Sequence, residues 1–230
     1  MYENMKKCFL MANKGGYIKS MRRLGLYYKK KSDIKNMKKY FLIAIKEGDI
    51  KSMCKLGSYY MRKPNIKKMK KYFLMAIKEG DIKSMRKLGL YYNDIGDNEN
   101  MIKYYLMAIE KGDTKSMNLL AEYYSSIQDY NNMIKYYLMA IEKGDKKSMY
   151  NLGYYYESID DHDNMLKYYI MGAEKNNASC IGRLYDYDVI GSDKLWEYLK
   201  YFKYLFRENL KFRERCFELY DEYLENRKYF

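Results

Sequence analysis

A single histidine, a single proline and a single tryptophan occur among the 230 residues. One histidine excludes paired-histidine metal sites within the chain and most histidine-based catalytic groupings. The four cysteines, Cys8, Cys54, Cys180 and Cys216, form no C-x-x-C and no ligand cluster. They read as small buried hydrophobes in a reducing compartment. No apolar stretch approaches bilayer-spanning length, residues 72–77 being among the longest. No charged start leads into an apolar run with a small-residue cleavage site, so a cytoplasmic location is expected and no membrane partner. Alanine is scarce, whereas lysine, asparagine, isoleucine and tyrosine abound. These are residues of AT-rich codons, so part of the lysine excess reflects genome composition.

What is present is a repeat. The chain is 48% hydrophobic and 32% charged, a composition that folds. The hexapeptide GDIKSM at Gly48 recurs at Gly80, then as GDTKSM at Gly112 and GDKKSM at Gly144. It is preceded by GYIKSM at Gly16 and followed by a decayed copy at Asn176. Met5, Met37, Met69, Met101, Met133 and Met165 keep the same stride of 32, with Ala12, Ala44, Ala76, Ala108, Ala140 and then Gly172 seven residues on. A fixed period of this size signals stacked supersecondary units.

Each unit reads as two helices. Gly suits the left-handed close of one helix and Asp the N-cap of the next. From Asp81, the apolar positions Met85, Leu88, Tyr91 and Tyr92 keep helical spacing. Gly89, matched by Gly25, Gly57 and Gly153 with Ala121 in the fourth copy, costs about 1 kcal/mol in mid-helix. Its recurrence points to a close helix crossing. Met101, Tyr105 and Ala108 mark the second helix. Methionine at helical spacing reads as core filler rather than as a metal or soft-ligand site, and the paired tyrosines read the same way.

The join from Ala140 to Tyr156 resembles that of the Sel1-like repeat family, close kin of tetratricopeptide repeats. It has an alanine-led helix end, the Gly144 turn, the small Ser148, and Leu152-Gly153-x-x-Tyr156. Residues 108–124 repeat the pattern, and the likeness covers roughly residues 5–190. Two features depart from the family habit: the units are short, and Ser20, Ser52, Ser84, Ser116 and Ser148 stand where Ala is common. The lysine- and tyrosine-rich dialect is similar to Sel1-like proteins of large DNA viruses. The resemblance implies an all-α, right-handed α-solenoid of 32-residue helix-turn-helix repeats. It would comprise a half unit 1–15, units 16–47, 48–79, 80–111, 112–143 and 144–175, and a final first helix 176–190. A capping helical pair is expected over 191–230. The half unit is either an imperfect cap or a bare face that docks elsewhere, a second copy of the chain being one occupant.

The net charge of +14 is unevenly spread: residues 1–96 carry 25 basic and seven acidic side chains, residues 97–230 carry 19 and 23. Such a field steers acidic partners. In tetratricopeptide-like stacks the first helices line a concave groove, which would bring Lys19, Lys51, Lys83, Lys115 and Lys147 there as a ladder. The plainer account of that ladder is a solvated helix face in a lysine-rich protein. The residue after each first-helix Met varies (Arg22, Cys54, Arg86, Asn118, Tyr150), as a surface tailored unit by unit would. Arg22 and Arg86 suit carboxylates, Tyr150 a stacking platform, and their charge reversal is expected to weaken binding with the helices intact. The dicarboxylate clamp of some tetratricopeptide proteins is not assembled here.

A non-enzymatic interaction scaffold gripping an acidic or extended segment of another protein is therefore the expectation. The alternative is single-stranded nucleic-acid binding, against which most aromatics occupy core positions. No catalytic residues, cofactor or metal are expected: there is no phosphate-cradling loop, and Asp160, Asp161, His162 and Asp163 read as a solvated turn without the spacing of an EF-hand.

Overall fold

A computed structural model of the chain describes residues 14–63, 65–177, 179–180 and 183–184. Among the described residues ten α-helices follow one another and no strand occurs. They are α1 (Lys14–Lys30), α2 (Ile34–Lys46), α3 (Ile50–Arg62), α4 (Ile66–Lys78), α5 (Ile82–Asp94), α6 (Asn98–Glu110), α7 (Thr114–Ser126), α8 (Tyr130–Glu142), α9 (Lys146–Ser158) and α10 (His162–Glu174). The expected half unit up to residue 13 and the cap over 191–230 lie outside the described residues.

The chain divides into two compact units, Met1–Leu120 and Ala121–Phe230. In the first, α1 pairs with α2, α3 with α4 and α5 with α6, and each hairpin packs on the next through α2–α3, α4–α5 and α3–α5. In the second, α9 pairs with α10 and α8 packs on α9. This neighbour-to-neighbour packing is that of an all-α helical-repeat solenoid.

Two kinds of turn set the stride. Between hairpins, Gly48, Gly80, Gly112 and Gly144 adopt φ of +78 to +80°, the left-handed conformation a Cβ disfavours. Asp49, Asp81 and Asp145 then cap the next helix, each accepting from the backbone N–H three residues on. The following serine completes the cap: the Ser84 and Ser116 hydroxyls donate to Asp81 and Asp113 at 2.6 Å. These serines are fully buried, which explains why the repeat carries Ser where the related pattern carries Ala. Within hairpins the cap is Asp33, Asp97, Asp129 or Asp161, whose carboxylate accepts from both the backbone and the side-chain amide of an asparagine three residues later. α1 differs: it runs back through Gly15 and Gly16, where the other copies turn.

The core repeats with the sequence. Met37, Met69, Met101, Met133 and Met165 are buried, as are Met21, Met53, Met85, Met117 and Met149. Met75, Met107, Met139 and Met171 are only half-buried. The recurring glycine meets an aromatic ring of the second helix: a Cβ on Gly57 would lie 2.6 Å from Phe73 Cδ1, and one on Gly153 2.6 Å from Tyr169 Cδ1. Gly25 meets Phe41 and Gly89 meets Tyr105 in the same way. A second contact also recurs, a stacked tyrosine pair joining the two helices of each hairpin, such as Tyr28 on Tyr40 at 5.4 Å and Tyr92 on Tyr104 at 5.5 Å.

Candidate partner-binding face of the first helices

Burial on one side of a first helix fixes what the other side presents. In α3, Met53, Leu56, Gly57 and Tyr60 face the core. Lys51, Lys55, Ser58 and Arg62 share the opposite stripe at spacings of four, three and four residues, and all but Ser58 are exposed. The equivalent stripe is Lys19, Arg23, Leu26 and Lys30 in α1, and Lys83, Lys87, Leu90 and Asp94 in α5. It becomes Lys115, Leu119, Glu122 and Ser126 in α7, and Lys147, Asn151, Tyr154 and Ser158 in α9.

All five ladder lysines, Lys19, Lys51, Lys83, Lys115 and Lys147, are exposed. Lys147 donates to Glu122 at 2.7 Å in an ion pair open to solvent. The variable residues after each methionine lie elsewhere. Arg22 Nη1 donates to Asp49 Oδ1, and Arg86 Nη1 to Asp113 Oδ1. Each guanidinium thus holds the capping carboxylate of the next first helix, with 20% and 17% of the arginine side chains accessible. Cys54 and Asn118 are buried at the same register, and the Asn118 side-chain amide donates to the Thr114 carbonyl at 3.2 Å. Tyr150 is half-buried, its ring 5.9 Å from that of Tyr169 and 6.4 Å from that of Tyr154. At two of the five positions, Arg22 and Arg86, the column thus serves the joint between successive hairpins. Charge reversal at Arg22 or Arg86 would set carboxylate against carboxylate there, so it acts on the fold as well as on any partner.

The stripe residues Arg23, Lys55, Arg62 and Lys87 escaped the sequence reading, although the signal is present: Lys51, Lys55 and Arg62 fall on one helical face. In the first unit the stripe is short of acids. Lys29, at the end of α1, has its pKa lowered by partial burial first and then by Arg62, Lys55 and Lys87. Lys87 is lowered by burial first; Lys55 and Arg62 add to this, while Cys54 and Asp81 oppose it. In the second unit cations find partners. Arg183 Nη1 donates to Glu157 at 3.3 Å and its guanidinium lies 5.5 Å from the Tyr154 ring centre. The Tyr169 hydroxyl donates to the same Glu157, and burial together with that bond raises its pKa.

Asp161 is engaged as the cap of α10 and His162 is its exposed first residue. Among the described residues no group of three or more His, Cys, Asp or Glu side chains is arranged to hold a metal ion. No described helix is long and apolar enough to cross a membrane.

Comparison with known proteins agrees with this geometry. The tetratricopeptide repeat family matches residues 114–142, which are α7 and α8. A Sel1 repeat protein from Oxalobacter formigenes superposes with a TM-score of 0.61 at 21% identity, over 81% of this chain and 85% of that one. The fold is Sel1-like. The protective antigen c5321 of uropathogenic Escherichia coli, which displays an SLR fold, gives a TM-score of 0.58 at 20% identity, over 91% of this chain and 46% of that one. The human IFIT1 dimer with PPP-AAAA gives 0.55 at 15% identity, over 90% and 54%. No curated protein matches the chain.

Proposed function

We propose that this Sel1-like chain is a non-enzymatic scaffold that holds an acidic, extended segment of another protein against the exposed first-helix face of its first unit. One observation carries the reading. The stripe holds three cations in α1 (Lys19, Arg23, Lys30) and three in α3 (Lys51, Lys55, Arg62). It holds two in α5 (Lys83, Lys87), then only Lys115 in α7 and Lys147 in α9. Composition alone would coat every copy alike. Within the first unit, where the count falls from α1 to Lys115, such a graded field steers an acidic partner and sets its polarity. Taken within the second unit alone, Lys147 and Tyr150 would offer an ion-paired lysine and a half-buried ring to a partner of their own. Free, buried Cys54 and Cys180 support a reducing, cytoplasmic setting.

Single-stranded nucleic acid is the second reading, favoured by the same cations and by the fold shared with the human IFIT1 dimer with PPP-AAAA. Anisotropy titrations of a Glu-rich peptide and of a mixed single-stranded oligonucleotide, over a salt series, separate the two. The scaffold reading expects the peptide to bind and the oligonucleotide to bind more weakly at every salt concentration. Oligonucleotide binding that dominates and falls linearly in log–log against salt would overturn it.

A further inference from the structure

Three successive first helices of the first unit bring four cations together. The Lys87 ammonium on α5 donates to the Ser58 hydroxyl on α3. Ser58 lies three residues after Lys55 and four before Arg62, so Lys87 reaches α3 between those two side chains. Lys29, from the last turn of α1, is disfavoured as a cation by partial burial first, then by Arg62, Lys55 and Lys87 in that order. Among the described residues none of the four has a carboxylate in ion-pair contact. Three acids of the first unit are engaged in caps, Asp49 with Arg22 and Ser52, Asp81 with Ser84, and Asp33 with Asn36. Asp94, at the far end of the α5 stripe, makes no ion pair with any of the four.

The cluster is also pre-formed. Ser58 donates its own proton to the Cys54 carbonyl at 2.7 Å, leaving its oxygen to accept from Lys87. The ammonium sits 5.9 Å from the centre of the Phe73 ring. Lys87 is thereby held half-buried beside Lys55 and Arg62, with Asp81 opposing their repulsion only from a distance and no carboxylate in ion-pair contact. Fixed donors of this kind lose little freedom when a ligand arrives.

We propose that Lys29, Lys55, Arg62 and Lys87 form the seat of a phosphoryl group on a phosphoserine- or phosphothreonine-bearing segment of the partner. This deepens, and rests on, the reading of the first-helix face as a protein-binding surface. A phosphoryl group concentrates about two negative charges and three acceptor oxygens at one point near neutral pH, which suits Lys87 held on α3 between Lys55 and Arg62, with Lys29 adding its charge from α1. A single carboxylate offers half the charge. A nucleic-acid strand offers phosphates in series, but the first unit places no aromatic side chain on the stripe for its bases to stack on.

The test uses the full chain, immobilised, and three probes: a degenerate peptide library with a central phosphoserine, the same library with serine, and a mixed single-stranded oligonucleotide. The phosphorylated library is expected to be retained at least about tenfold better than its counterpart. Lys87→Gln and Arg62→Gln, separately, are expected to abolish that preference with far-ultraviolet circular dichroism unchanged, whereas Lys147→Gln preserves it. Equal retention of both libraries would overturn the phosphoryl seat and leave the acidic-segment reading standing. Retention of the oligonucleotide with neither library would overturn both.

Discussion

The two units of this chain use one hairpin and coat it differently. In the first, the exposed stripe of α1, α3 and α5 carries eight cations against one acid, Asp94, while Asp33, Asp49 and Asp81 are committed to helix caps. In the second, Lys147 meets Glu122, Arg183 meets Glu157, and Tyr150 and Tyr154 occupy the surface between. Core positions repeat through both units, so the coating is separable from the frame. The comparison locates the work in the surface that differs, and it also shows that variation alone is a poor guide. In the most variable first-helix column, Arg22 and Arg86 each hold the capping carboxylate that opens the next hairpin.

The largest effect should come from breaking what the units share. Gly89→Leu in the first unit and Gly153→Leu in the second each drive a side chain into a buried tyrosine ring. Both are expected to lower stability by about 3 kcal/mol in urea melts, the scale of an overpacked core. A variant that melts like the parent would mean the ring does not lie on that glycine. Next comes Arg86→Ala, which leaves the partly buried Asp113 with Ser116 as partner but without its counter-charge and is expected to cost about 1–3 kcal/mol. Lys147→Ala, which breaks a solvent-exposed pair, should cost less than about 0.5 kcal/mol. Equal losses would erase the distinction between junction and surface.

Lys87→Gln should leave stability unchanged or raise it. A lysine whose folded pKa lies below its unfolded value opposes folding at every pH below that folded value, so removing its charge at neutral pH relieves the molecule. A clear destabilisation would mean that Lys87 is a structural partner of Ser58 first and a repelled cation second. The smallest effect concerns acid. Asp33, Asp97, Asp129 and Asp161 are held below the usual carboxylate range by the asparagine side chain, then by its backbone N–H. Their contribution is present above the ordinary value of 3.8 and is lost as pH falls through the lower folded one. Stability should therefore hold to about pH 4 and decline below it, with Asn132→Ala weakening the decline. A decline that begins at pH 6 would contradict this assignment.

Much of the frame was legible because it repeats. The glycine and the Asp cap between hairpins, Gly48 and Asp49 onward, recur at one stride with the buried methionines, and periodicity reports backbone and core directly. The face was legible only in part. The lysines two before each methionine were found because they do not vary, whereas Lys55, Arg62 and Lys87 required the full helical wheel and the knowledge of which side packs. The pairing of Arg22 with Asp49 spans 27 residues and two helices, a relation that no local pattern carries. The capping role of Ser84 was hidden for a related reason: a small residue at a crossing and a hydroxyl closing a cap look alike until the aspartate is placed.

The most direct measurement is the affinity of a Glu-rich peptide for two neutralised proteins, Lys55→Gln/Arg62→Gln/Lys87→Gln in the first unit and Lys147→Gln in the second, read by fluorescence anisotropy at fixed salt. The first should bind about tenfold more weakly than the parent and the second within about twofold of it. Equal weakening in both would mean that the protein offers an undirected basic surface, and the account of a working face in the first unit would fail.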